Sequence, residues 1–162
     1  MPRLYFDTSA LVKKHVPESG SSIVAELFAG RRNSEVFLTS YISLIELVAF
    51  LSRARTARTL SQSAELTVRS AMLRDLDTMR VRAITWDIQQ EARRFAERFG
   101  LKAADCCQLA TANLLRLEFP GESMWLVSAD LRMLAAAEQV GLSILNPLST
   151  DAPKTLRAFR KN

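Results

Sequence analysis

Cysteine is nearly absent from this chain: among 162 residues there are two, Cys106 and Cys107, and they are adjacent. Neighbouring cysteines rarely bridge each other, and no second pair exists to complete a zinc site. Neither a disulfide framework nor structural zinc is expected, and the usage fits a reducing, cytosolic compartment. Histidine is scarcer still. The single one, His15, stands beside the turn at Pro17 and reads as a surface residue. That argues against a histidine-pair nuclease and a Ser-His-Asp hydrolase. Glycine numbers only five. Neither GxGxxG nor GxxxxGK followed by Ser or Thr occurs, so a dinucleotide site and a phosphate-cradling loop are not expected. No run of 18 apolar residues exists, and the longest apolar stretch, Val36 to Leu51, is broken by Ser40, Ser43 and Glu46. A membrane span is therefore not expected. Asp7 lies within the first apolar stretch, which argues against a signal peptide.

What is present is ordinary globular material. Apolar residues make up 48% and charged residues 24%. A chain of this length suits one domain and buries roughly 70% of the surface it exposes when unfolded. The net charge of +5 fits a polyanionic partner, although many proteins without one are as basic.

Leu4-Tyr5-Phe6, Val36-Phe37-Leu38, Val81 to Thr85, Met124 to Val127 and Leu142 to Leu145 read as five short strands. Between them fall helical patterns: Ser9 to His15, a segment capped by Ser21 or Ser22 and stopped at Gly30, Ser40 to Arg55, a helix capped by Ser61, Trp86 to Phe99, Lys102 to Leu117 and Asp130 to Val140. Short strands alternating with helices imply βαβ crossovers and a parallel sheet with helices on both faces, an α/β fold. Residues 1–148 are expected to form the domain. Residues 149–162, with Lys154, Arg157, Arg160 and Lys161, are expected to form a basic tail that is mobile or lies on the surface.

In an open parallel sheet, sites form outside the carboxyl ends of the strands. Asp7 follows strand one directly, Asp130 follows strand four, Glu46 sits in the second turn of the helix after strand two, and Asp105 sits in the first turn of a helix returning across the sheet. Each acid also has a plainer reading. Asp7 and Asp130 suit helix N-caps, Glu46 could complete a capping box with Ser43, and Asp105 could be a solvated first-turn acid. Yet Glu46 is flanked by Leu44, Ile45, Leu47 and Val48, and Asp105 precedes Cys106, Cys107, Leu109 and Ala110. Acids in such apolar helices are costly unless something pairs with them. Four clustered acids also repel one another unless a cation sits among them. Oxygen donors suit Mg²⁺ or Mn²⁺ rather than zinc, and such an ion promotes attack by water on a phosphodiester. Ser9 and Ser128, beside Asp7 and Asp130, could hydrogen-bond a carboxylate or water, or cap a helix. The cysteines read as small core residues. Among the basic clusters, Arg53, Arg55 and Arg58 extend the helix carrying Glu46 and are the candidates for reaching nucleic-acid phosphates beside the acids; most of the others, Lys13-Lys14 included, read as solvated faces.

Four segments, YFDTSALVKKHVPESG, TSYISLIELVAFLSRA, GLKAADCCQLATA and LVSADLRMLAAAEQVGLSIL, resemble in order the successive motifs of the PIN-domain family, and within it the VapC-type toxins of bacterial toxin–antitoxin pairs. The resemblance covers about residues 3 to 147. It implies a three-layer α/β/α sandwich with a five-stranded parallel sheet. It also implies a metal-dependent endoribonuclease whose acids match Asp7, Glu46, Asp105 and Asp130. A homodimer and a small DNA-binding antitoxin that blocks the active site are implied by the resemblance alone. Ser128 stands where the family often has Thr, and the double cysteine departs from the usual pattern. Two rival readings are a PIN-like scaffold that has lost activity and a phosphatase with Asp7 as nucleophile. The phosphatase usually needs a second acid two residues on, where this chain has Ser9.

Overall fold

The computed structural model describes residues 1–161. In chain order the elements are β1 (Arg3–Phe6), α1 (Thr8–His15), α2 (Ser21–Ala29), β2 (Val36–Ser40), α3 (Tyr41–Thr56), α4 (Gln62–Asp77), β3 (Arg80–Arg82), α5 (Trp86–Phe99), α6 (Ala103–Glu118), β4 (Met124–Val127), α7 (Leu131–Gln139), β5 (Ser143–Leu145) and α8 (Ala152–Lys161). Every residue of β1 and β2 is buried, so both faces of those strands must be covered. Helices supply the cover. Leu4, Phe6, Phe37 and Val127 point to one side, against α1, α2, α8 and the end of α4. Tyr5, Val36, Leu38 and Leu126 point to the other, against α5, α6 and α7. The two-residue alternation of a strand thus divides each apolar run between two cores. A smaller cluster of Val12, Leu47, Leu51 and Met72 fastens α1, α3 and α4 together.

All pairings are parallel, in the order β3-β2-β1-β4-β5. This is the expected α/β/α sandwich with five strands. Sequence periodicity places its elements well, and two expectations need correction. The third strand stops at Arg82 rather than reaching Thr85. It is an edge strand paired only to β2, and its register runs from Leu38↔Arg80 to Ser40↔Arg82, where β2 itself ends.

The second correction concerns the basic tail. Residues 152–161 do not merely lie on the surface: they form α8, and Ala152, Leu156 and Phe159 are buried in the same core as β1. Their spacing of four and three residues is a helical stripe. The low apolar content of the segment concealed it. Phe159 meets Trp125 edge-on at 5.6 Å between ring centroids. Arg160 Nη2 donates to the Glu26 carbonyl at 2.9 Å, and Arg32 Nη1 donates to the Arg160 carbonyl at 2.6 Å, so the helix is also tied to α2. Asn162 lies outside the described residues. Among the described residues no helix is long and apolar enough to cross a membrane.

Candidate active site

The chain places β2 on one side of β1 and β4 on the other, so the direction of the strand order reverses at β1. Outside the carboxyl ends of strands at such a reversal the first turns of the flanking helices diverge and leave a crevice. Here the crevice is a cleft of about 370 Å³ lined by Asp7, Thr8, Ser9, Val12, Lys13, Glu18, Glu46, Phe50, Arg53, Asp105, Gln108 and Asp130. All four acids singled out in the sequence face it. Of the three arginines, Arg53 lines it and Arg55 and Arg58 do not. Arg55 is 3.4 Å from Glu65 of α4, and Arg58 occupies a left-handed turn with φ of 57°.

Asp7 is the most constrained of the acids. It continues β1, with its N–H bonded to the Val127 carbonyl of β4 at 3.1 Å. Its Oδ1 accepts from the Ala10 N–H at 2.8 Å, so it is the N-cap of α1. Ser9 donates to the same carboxylate at 2.8 Å and Ser128 donates to Oδ2 at 2.8 Å. Ser9 Oγ also accepts from the Ala129 N–H at 2.9 Å, and Ser128 Oγ from the Asp130 N–H at 3.0 Å. The two serines therefore lock the β1–α1 junction to the β4–α7 junction through Asp7. Asp130 is likewise an N-cap: its Oδ1 accepts from the N–H groups of Arg132 and Met133. The plain reading of both aspartates as caps holds, and both caps line the cleft.

The capping-box reading of Glu46 does not hold. Ser40, not Ser43, caps α3. Ser43 is fully buried, shares a 2.8 Å hydrogen bond with Thr39 Oγ1 and accepts from Gln108 Nε2 at 2.9 Å. Glu46 is instead held from two other helices. Thr8 of α1 donates to its Oε2. Gln108 of α6 is 1% exposed, and its Nε2 lies 3.2 Å from the same oxygen, while the Tyr5 hydroxyl donates to its Oε1. Gln108 and Thr8 are the residues sequence reasoning missed. A signal existed: Gln108, like Asp105, is a polar residue set among Cys107, Leu109 and Ala110, and such a residue must find partners.

The electrostatics follow from burial. Asp7 is pushed up from 3.8 to about 6, chiefly because burial disfavours its charge. The hydrogen bonds from Ala10, Ser128 and Ser9 pull the other way and do not prevail, and the Glu46 charge adds a further push. Asp105 is also raised, first by burial, then by the charges of Asp130 and Glu46. Facing these acids on the cleft wall are two cations, Lys13 and Arg53. Such a set of oxygen donors, short of positive charge and without sulfur or imidazole, fits a hard divalent cation. Among the described residues no three acids, histidines or cysteines close into a ready-made cage. Burial raises both thiols, which makes them poor nucleophiles; Cys106 is a core residue as expected, while Cys107 is only partly buried and packs against that core. His15 is not the surface residue expected. It is partly buried with Nε2 2.7 Å from Asp75 Oδ2, and burial lowers it below the usual histidine range.

The Asp7 shift has a thermodynamic consequence in the metal-free protein. Its folded value, about 6, lies above its unfolded value of 3.8, so between those two pH values the folded state binds more protons. The corresponding stability is present below the unfolded value and is lost as pH rises through about 6. In EDTA, urea unfolding is expected to show the parent losing stability relative to Asp7→Asn across that window. Parallel pH profiles for the two proteins would contradict it.

Comparison with known proteins gives consistent results. The family model described as "PIN domain" matches residues 4–145. The protein named Ribonuclease VapC45, from Mycobacterium tuberculosis, is 33% identical over 147 residues, covering 89% of this chain and 95% of the relative. Among solved structures, FitAcB from Neisseria gonorrhoeae is similar with a TM-score of 0.63 at 18% identity, over 89% of this chain and 97% of that one. A toxin–antitoxin complex from Klebsiella pneumoniae is similar with a TM-score of 0.57 at 19% identity, over 89% and 97%.

Proposed function

This chain belongs to the PIN domain family, and from that premise we propose that it is an endoribonuclease, the toxin of a toxin–antitoxin pair, with Asp7, Glu46, Asp105 and Asp130 as the working acids. The observation that carries the reading is the convergence of those four carboxylates on one cleft at the strand-order reversal. The relative named Ribonuclease VapC45 matches over nearly its whole length and supports the RNA-cleaving chemistry.

The four acids would hold Mg²⁺ or Mn²⁺. When bound, such an ion activates water and neutralises charge on a phosphoryl oxygen. The chain's own residues supply the positioning. Ser9, Ser128 and the Ala10 N–H hold Asp7 in one orientation. Thr8 and Gln108 hold Glu46 against the repulsion of its neighbours. Arg53 faces the same cleft and offers a guanidinium to the RNA backbone. Arg55 and Arg58, which do not line it, are assigned to a more distant stretch of backbone.

An antitoxin partner and a homodimer complete the proposal. The Klebsiella pneumoniae structure is described as a toxin–antitoxin complex. On this chain, the exposed Val48 of α3 and Leu73 of α4 line one apolar groove with Leu44, Leu47 and Met72, a surface of the kind protein partners cover. The decisive experiment incubates the purified, antitoxin-free chain with total RNA in Mn²⁺, in Mg²⁺ and in EDTA. Discrete fragments with metal and intact RNA in EDTA are expected. Intact RNA under every metal, from protein shown to be folded, would overturn the nuclease reading in favour of an inactive binding module.

A further inference from the structure

Lys13 is the unexpected residue of the cleft. Basic pairs on short helices are ordinarily solvated, yet Lys13 is 7% exposed, while its neighbour Lys14 pairs with Asp75 of α4. Packed as it is, Lys13 lines the cleft, as does Arg53 of α3. One partner is seen: Nζ donates to Glu18 Oε1 at 3.0 Å. An ammonium has three donors. Glu18 lies past the end of α1, and its side chain is 43% exposed. The arrangement is a nearly buried cation lining the same cleft as the four carboxylates, with a half-exposed partner that can leave.

Resting on the endoribonuclease reading, we infer that Lys13 grips a backbone phosphate of the RNA beside the acids, and that Glu18 holds the ammonium in place until the phosphate displaces it. Polyanion binding next to carboxylates needs positive charge at short range, because exposed cations farther away are screened within about 10 Å at ordinary salt. Lys13 and Arg53 are the two cations on the cleft wall. Lys13 loses little conformational freedom on gripping a phosphate, because packing already fixes its stem. Glu18 competes for the ammonium and adds a negative charge to the cleft, so it acts against RNA binding.

A purely structural ion pair and a phosphate grip differ in sign. Breaking a structural pair from either end loosens the same loop, so Lys13→Met and Glu18→Gln would weaken RNA binding alike. A phosphate grip predicts opposite effects. Labelled poly(U) binding, read by anisotropy in EDTA across a salt series, distinguishes them. Lys13→Met is expected to weaken binding several-fold and to flatten the slope of log K against log salt by about 0.7, the loss of one single-strand phosphate contact. Lys13→Arg should restore the slope, and Glu18→Gln should tighten binding without changing it. A Lys13→Met slope equal to the parent's, or weakening by both single variants, overturns the inference. In that case cleavage of total RNA by the parent in Mn²⁺ would leave the nuclease reading intact. No salt-dependent binding by the parent overturns the grip as well, and the absence of metal-dependent cleavage would remove the reading beneath it.

Discussion

Asp7→Asn is expected to abolish metal-dependent RNA cleavage while leaving the fold as stable as the parent's, or more so. The two halves of the result have one cause. Asp7 is buried, and burial disfavours its charge strongly enough to lift it to about 6. At neutral pH the metal-free protein therefore carries a desolvated carboxylate whose hydrogen bonds from Ala10, Ser9 and Ser128 only partly compensate it. An asparagine keeps a carbonyl oxygen for the Ala10 N–H and so keeps the cap of α1. Its amide can donate to Ser9 or Ser128, whose hydroxyls accept as well as donate. The fold loses a buried charge and keeps its hydrogen bonds. On the proposed function, the site loses the acid most firmly held in position. Changing an outer partner of a metal ligand costs roughly 10–100-fold in affinity or activity, and removing the ligand's charge is expected to cost at least about a hundredfold in kcat/KM. Cleavage of total RNA in Mn²⁺ and urea unfolding in EDTA at pH near 7 test both halves. Parent-like cleavage by the folded variant would remove Asp7 from the chemistry. A large loss of stability would mean that its charge is part of the scaffold.

The gain in stability, if seen, is the familiar cost of a functional site read backwards: groups held where function needs them are not where folding would prefer them. Asp105 extends the argument. Burial and the nearby charges of Asp130 and Glu46 raise it too, so the acids oppose one another until positive charge enters. The hydrogen bonds to Asp7, Glu46 and Asp130 come from hydroxyls, backbone N–H groups and one amide, all neutral. Such donors orient carboxylates without cancelling the negative charge that would attract a cation.

How far this was legible in the sequence depends on which physical signal each residue leaves. Asp7 and Asp130 were legible because each follows a strand, and strand ends map directly to one rim of a parallel sheet. Glu46 and Asp105 were legible because an acid in an apolar helix is anomalous. Gln108 leaves the same kind of anomaly, but an amide has no charge to draw attention, and its role appears only when α6 is laid beside α1 and α3. Lys13 was hidden for the opposite reason. Its charge made solvation the default reading, and its burial depends on the Val16–Gly20 turn and on Glu18, which no periodicity specifies. Arg53 and Arg55 are two residues apart on a helix and so point about 200° around it from each other, which sends one into the cleft and the other to Glu65. Treating the arginines as one group overlooked that phase. The sheet itself was simpler, because fully buried parallel strands announce themselves as short apolar runs; the ends of β2 and β5 shift by one or two residues, and the edge strand β3, whose length its partner sets, was misjudged most.

The C-terminal segment was the largest misreading, and Phe159→Ala measures what it hid. Phe159 is 3% exposed and stands edge-on to Trp125 of the sheet. Leu156 and Ala152 are each 1% exposed on the same stripe. Removing a buried aromatic ring leaves a cavity as well as forfeiting its transfer energy, typically about 3–5 kcal/mol. Against a total stability of about 5–15 kcal/mol for a domain, that is a large fraction. Urea unfolding of Phe159→Ala should therefore show a midpoint far below the parent's. Lys154→Ala, which removes an exposed pair with Asp151 from the same helix, should change it by no more than about 1 kcal/mol. The cleft is built from α1, α3, α6 and the β4–α7 junction, so the folded fraction of Phe159→Ala should cleave RNA at the parent's rate per folded molecule. If both substitutions were equally mild, α8 would be resting on the domain rather than packed into it, and the stripe of Ala152, Leu156 and Phe159 would carry no stability. If Phe159→Ala lost activity beyond its loss of folded protein, the core under β1 would be positioning Asp7, since Phe6 of that core directly precedes it in the chain.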